Sequence, residues 1–110
     1  MDIQTQEHKR VVVVTVQGRI DSATAGEFED TLNEFTQQGK NNIVLDLSNV
    51  DFISSAGLRV LVTTRKAVKG AGGNIVFAGS SEQVLETLEI AGLDVLFEKY
   101  SDREAAIGSF

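Results

Sequence analysis

The segment Asp46 to Arg59, DLSNVDFISSAGLR, holds the residues whose types and spacing could do chemistry. Two adjacent hydroxyls, Ser54 and Ser55, precede Ala56 and Gly57 where a buried strand gives way to a helix. A serine at a helix entrance has two readings. In the first, Ser54 is a plain N-cap and Gly57 lets the helix lie close to another backbone. A helical glycine costs roughly 0.5–1 kcal/mol relative to alanine, so Gly57 needs such a reason. In the second, the turn is an exposed docking knob whose hydroxyl can be modified. A phosphate on Ser55 would bring about −1.5 to −2 charges at pH 7 to the positive end of the helix dipole, which the fold would tolerate. A partner shaped to a small neutral turn would not, because the dianion would be desolvated without counter-charge. Spacing alone leaves both readings open, and the second is a switch on binding rather than on folding.

Other chemistries find little support. There is no cysteine, which removes disulfides, thiolate metal sites and cysteine nucleophiles, and the single histidine, His8, rules out a multi-histidine metal site. His8 adjoins Lys9 and Arg10 at a strand boundary and reads as a surface residue. Glu27, Glu29, Asp30 and Glu34 fall on the polar side of one helical pattern, where solvation explains them, and nothing marks a cleft that would shift their pKa values for acid-base work. Lys69-Gly70-Ala71-Gly72-Gly73 is glycine-rich but lies after a helix and before a strand. That is the reverse of the order that aims amides at a phosphate, so a helix C-cap is the better reading. An enzyme is therefore not expected, and neither a cofactor nor a metal is implied.

The elements that must position the serines follow from periodicity. Val11 to Val16 is β-branched almost throughout, which suits a strand covered on both faces. Ala25, Phe28, Leu32 and Phe35 form the stripe of a helix, with Thr24 and Glu27 at capping-box spacing and Gly39 at its C-terminal end. Asp21 and Ser22 then lie in the loop before it, free to face outward. Ile43 to Leu47 reads as a second buried strand, followed by the apolar pair Phe52-Ile53. The helix from Ser54 or Ser55 carries Leu58, Val60, Leu61, Val62 and Val68 around much of its surface, with Arg59 and Arg65 as exposed basic positions near Ser55. Ile75 to Ala78 is a third strand, and a helix capped by Ser80 or Ser81 ends at Gly92. Leu93 to Phe97 predicts a last strand and Asp102 to Ile107 a short terminal helix. The alternation implies an α/β fold: a mixed, mostly parallel sheet of about five strands with about four helices, and an antiparallel edge from the opening segment.

Length and charge agree. The 110 residues fit one domain over residues 1–110, without linker or low-complexity stretch. Ten Lys+Arg against sixteen Asp+Glu give 10 − 16 = −6, which repels phosphate backbones and anionic membranes, so nucleic acid is not an expected partner. No apolar run approaches the roughly 20 residues of a membrane span, and the opening MDIQTQEHKR lacks the order of a signal peptide, so a cytoplasmic protein without membrane insertion is expected.

The succession Gly18-Arg19-Ile20-Asp21 with Thr24-Ala25, then Asp46-Leu47-Ser48, then Phe52-Ile53-Ser54-Ser55-Ala56-Gly57-Leu58 and Gly72-Gly73, resembles the STAS domains, most closely the stand-alone bacterial anti-sigma factor antagonists. The resemblance implies a partner-switching cycle. The unphosphorylated antagonist binds an anti-sigma factor that is also a serine kinase and releases its target; phosphorylation switches binding off, and a PP2C-type serine phosphatase restores it. Registering the family motif on Gly57-Leu58 places the acceptor at Ser55. Many members carry an aspartate before that serine and a serine or threonine after it, where this chain has Ser54 and Ala56, so Ser54 stands as an alternative acceptor. Asp21 falls on the acidic position of the loop that faces the kinase, and the implied partner-binding set is Asp21, Ser22, Ser54, Ser55, Ala56, Gly57 and Arg59. STAS-like domains also serve as non-catalytic accessory or scaffold subunits of transporters and stress-sensing complexes, the alternative function. The retained hydroxyl at the turn favours the antagonist.

Overall fold

In a computed structural model, which describes all 110 residues, an opening hairpin is followed by alternating helices and strands, and the chain closes on two helices. The strands are β1 (Asp2–His8), β2 (Val11–Ile20), β3 (Asn42–Ile53) and β4 (Asn74–Ser80); the helices are α1 (Ala25–Gln37), α2 (Ser55–Gly70), α3 (Glu82–Ile90) and α4 (Arg103–Gly108). The sheet order is β1-β2-β3-β4. β1 runs antiparallel to β2, as expected for the opening segment, while β2, β3 and β4 are parallel. Each crossover steps one strand in the same direction, and connections of one hand then bring their helices to one face.

Period-two alternation divides the valine run between two cores. Val12, Val14 and Val16 join Ile43, Leu45, Ile75 and Phe77 under α1, α2 and α3, together with Phe28, Leu32, Leu61, Val68 and Leu88. Val11 and Val13 face the other way and pack with Val44, Val76 and Ala78 under Ala106 of α4. Val11 to Val14 are all buried, so the run is covered on both faces as predicted.

The expected strand over Leu93 to Phe97 does not form, which leaves four strands rather than five. Gly92 takes a left-handed φ of +73°, and Asp94–Leu96 is a short 3-10 turn. The apolar residues there follow a three-residue spacing: Leu93 and Leu96 pack on the main core while Val95 stays exposed. Phe97 then stacks on Phe77, with ring centroids 4.9 Å apart, and strand pairing survives as one isolated parallel bridge between Phe77 and Lys99.

A polar tie holds α4 down. Arg103 Nε donates to Asp46 Oδ2 at 3.1 Å and its Nη2 donates to Thr15 Oγ1 at 2.7 Å, so the terminal helix is fastened to β3 and β2. Ser48 donates to Asp46 Oδ1 through its backbone N–H at 3.1 Å and its hydroxyl at 2.7 Å. Partial burial alone would raise the Asp46 pKa. The Ser48 bonds and the Arg103 guanidinium outweigh it and hold the carboxyl below its ordinary value.

Candidate functional site

Parallel pairing of β2 with β3 builds the site. Arg19 pairs with Phe52 and Ile20 with Ile53, so the two strands end side by side. The loop Asp21 to Thr24 and the turn Ser54 to Gly57 therefore leave the same end of the sheet together. Ser54 N–H donates to the Ile20 carbonyl at 2.8 Å and ties the turn to β2.

The two serines of the turn have different surroundings. Ser54 is half-buried, with extended backbone, and its Oγ accepts the Gly57 N–H at 3.2 Å as the N-cap of α2. Ser55 is the first helical residue and is exposed. Ala56 is half-buried, Gly57 buried and Arg59 exposed. A Cβ on Gly57 would lie 2.7 Å from Ile53 Cγ1 and 2.8 Å from Ile20 Cγ2, so the glycine lets α2 press on side chains at the ends of β3 and β2. The close approach expected there is thus to branched side chains rather than to another backbone.

Asp21 does not simply face outward, because its carboxyl is turned back into its own loop. Oδ1 accepts the N–H groups of Ala23 at 3.0 Å and Thr24 at 3.2 Å, and Arg19 Nε lies 3.7 Å from Oδ2. Slight desolvation would raise its pKa. These two N–H groups, the Thr24 hydroxyl and the Arg19 charge overcome that and lower it. The expected capping box is also absent: Thr24 makes no side-chain bond to the first turn of α1, and its Oγ1 instead accepts the Asp21 N–H at 2.9 Å and reaches the Arg19 carbonyl at 2.9 Å. Thr24 closes the loop rather than the helix. Ser22 is exposed at the loop's apex.

Two residues at this end, Phe52 and Arg19, were not in the expected partner-binding set, and one basic position expected near Ser55 lies elsewhere. Phe52 is 39% exposed, with the Arg19 guanidinium 4.3 Å above its ring centroid, so of the apolar pair Phe52-Ile53 only Ile53 enters the core. Neighbouring strand residues point to opposite faces, and that alternation was the available signal. Arg65 is half-buried and donates from Nε to the Leu96 carbonyl at 2.8 Å; it holds the 3-10 turn and does not flank Ser55. The glycine-rich segment after α2 is likewise structural. Gly72 has φ +84°, and a Cβ on Gly73 would collide with the Asn41 carbonyl.

The family model for the STAS domain matches residues 2–106. BtrV of Bordetella bronchiseptica, assigned by its name to the anti-sigma factor antagonists, is 35% identical over 100 residues, covering 91% of this chain and 86% of that protein. The anti-sigma-B factor antagonist of Staphylococcus epidermidis is 32% identical over 93 residues, covering 84% and 86%. A crystal structure from Thermotoga maritima, of a protein assigned as an anti-sigma factor antagonist, superposes with a TM-score of 0.90 at 26% identity, over 97% of this chain and 92% of that one. The chain belongs to the STAS domain family. No helix is long and apolar enough to cross a membrane.

Proposed function

We propose that the protein is an anti-sigma factor antagonist, a non-catalytic binding module switched by phosphate on Ser55. In this reading the unphosphorylated end of the sheet, with Asp21, Ser22, Ser54, Ser55, Ala56, Gly57 and Arg59, docks on an anti-sigma factor that is itself a serine kinase and displaces its target. Phosphorylation of Ser55 ends the complex, and a PP2C-type serine phosphatase renews it. The names of the relatives support the antagonist class.

The observation that carries the switch is the division of labour between the two hydroxyls. Ser54 is committed to the Gly57 N–H, whereas Ser55 stands exposed one residue further on, beside the first N–H groups of α2. A dianion on Ser55 meets the positive end of a helix dipole and displaces no core side chain, so the domain keeps its fold. The surface pressed against that turn gains a charge it must desolvate.

The test mixes the protein with ATP and the cognate kinase, with mass spectrometry and a pull-down as readouts. One phosphate is expected on the wild type and on Ser54→Ala, none on Ser55→Ala, and loss of kinase binding in Ser55→Asp with an unchanged melting curve. Label that persists in Ser55→Ala and vanishes in Ser54→Ala would move the acceptor to Ser54. Unfolding of Ser55→Asp would reduce the lost binding to a folding effect.

A further inference from the structure

The two edges of the sheet differ. β4 is partly closed: Phe77 N–H donates to the Glu98 carbonyl at 3.0 Å and Tyr100 N–H donates to the Phe77 carbonyl at 2.8 Å. β1 pairs with β2 on one side and with nothing on the other. All of its residues except Ile3 are exposed.

Proteins blunt a free edge with proline, a bulge or central charges. The chain has no proline, the β1–β2 register runs unbroken from Asp2↔Gln17 to His8↔Val11, and the middle of β1, Gln4-Thr5-Gln6, is uncharged. The register breaks present in β2–β3 and β3–β4 are absent here. The edge is therefore regular and open.

Its sequence is also complementary to itself. An antiparallel copy related by a two-fold axis through Thr5 sets Asp2 opposite His8, Ile3 opposite Glu7 and Gln4 opposite Gln6. Every residue of β1 is paired in this register, no like charges face each other, and the acid at one end meets the imidazole at the other. Two amide pairs bracket the axis. Sliding the copy by two residues leaves strand residues unpaired and separates Asp2 from His8.

We infer that β1 is the interface of a homodimer in which two four-stranded sheets join edge to edge as one sheet of eight strands. Such an interface is isologous, and a single pair of strands makes it weak and concentration-dependent. Because the two copies of β1 run antiparallel to each other, the two-fold axis reverses every strand of one subunit relative to the other and sends their Ser55 ends to opposite ends of the dimer. Both docking ends stay open, and the dimer presents two of them. The inference rests on the edge alone and stands whether or not Ser55 is phosphorylated.

The absence of native cysteine makes cross-linking clean. Residues directly opposite across antiparallel strands have Cβ atoms about 4.5–5.5 Å apart, close to the reach of a disulfide. Thr5→Cys, on the axis, is expected to form a covalent dimer under mild oxidation, and Glu98→Cys at the other edge to remain monomeric. Sedimentation equilibrium on the unaltered protein is expected to show a monomer–dimer equilibrium. Thr5→Lys, which opposes two like charges on the axis, is expected to weaken it several-fold with no change in melting temperature. A wild type that stays monomeric at millimolar concentration, or Thr5→Cys that cross-links no faster than Glu98→Cys, overturns the inference.

Discussion

Adding one carbon at Gly57 is expected to destabilise the protein, against the ordinary trend for a helix. In an open helix, Gly→Ala gains up to about 1 kcal/mol. At Gly57 the new Cβ would stand 2.7 Å from Ile53 Cγ1 and 2.8 Å from Ile20 Cγ2, and both isoleucines are buried, at 2% and 0% exposure. Neither has room to swing away, since β-branched side chains are held to few rotamers and the core around them is closed. Overpacking of this kind costs about 1–3 kcal/mol, and two simultaneous clashes place it toward the upper end, for a net loss of about 1–2 kcal/mol. At about 4–8 °C per kcal/mol for a domain of this size, the melting temperature should fall by roughly 4–16 °C. Gly26→Ala in α1 is the control, because its Cβ would meet nothing within 4 Å and the variant should melt at or slightly above the wild type. Thermal denaturation followed by circular dichroism reads both. If Gly57→Ala melts no lower than the wild type, the packing account of this glycine is wrong.

Three further outcomes follow from the geometry. Arg103→Ala should lower stability at neutral pH by up to about 1 kcal/mol, the range of a partly exposed pair. The Asp46 pKa is lowered in the folded state, so its contribution is present above the ordinary aspartate value of about 3.9 and is lost as pH falls through the folded value. The gap between wild type and Arg103→Ala in urea titrations should therefore narrow in acid, and a gap constant with pH would refute the ion-pair account. Ser81→Ala removes both the cap on the Val84 N–H at 3.2 Å and the hydroxyl bond to the Val50 carbonyl at 2.6 Å, and should cost about 1–2 kcal/mol by chemical denaturation. Asp21→Ala should weaken partner binding in calorimetric titration while moving the melting temperature by only a few degrees; unchanged affinity would remove Asp21 from the docking surface.

Most of the framework was legible along the chain because it depends on local rules. The valine run announced a strand buried on both faces, Gly39 and Gly92 marked helix ends with φ of +77° and +73°, and Ser54 lay at a cap position. The errors arose where a local signal had a tertiary competitor. Thr24 and Glu27 have the spacing of a capping box, yet the Thr24 hydroxyl is drawn into the Asp21 loop. Leu93 to Phe97 is apolar enough for a strand, yet Gly92 redirects the chain and the ring of Phe77 receives Phe97. Arg65 has the helical spacing of a surface cation, yet a carbonyl 31 residues away claims it.

For the end of the sheet that carries Ser55, the residue order alone determined the serine pair at a helix start, the small residues after it and the acidic loop before α1, because each is a property of neighbours in the chain. Only the tertiary structure decided that Ser55 is open while Ser54 is occupied, that Phe52 lies outside under Arg19, and that Asp21 and Ser55 share one end of the sheet. Those facts depend on which strands pair and in what register. Pairing is set by burial summed over the whole sheet, and no segment carries that sum by itself.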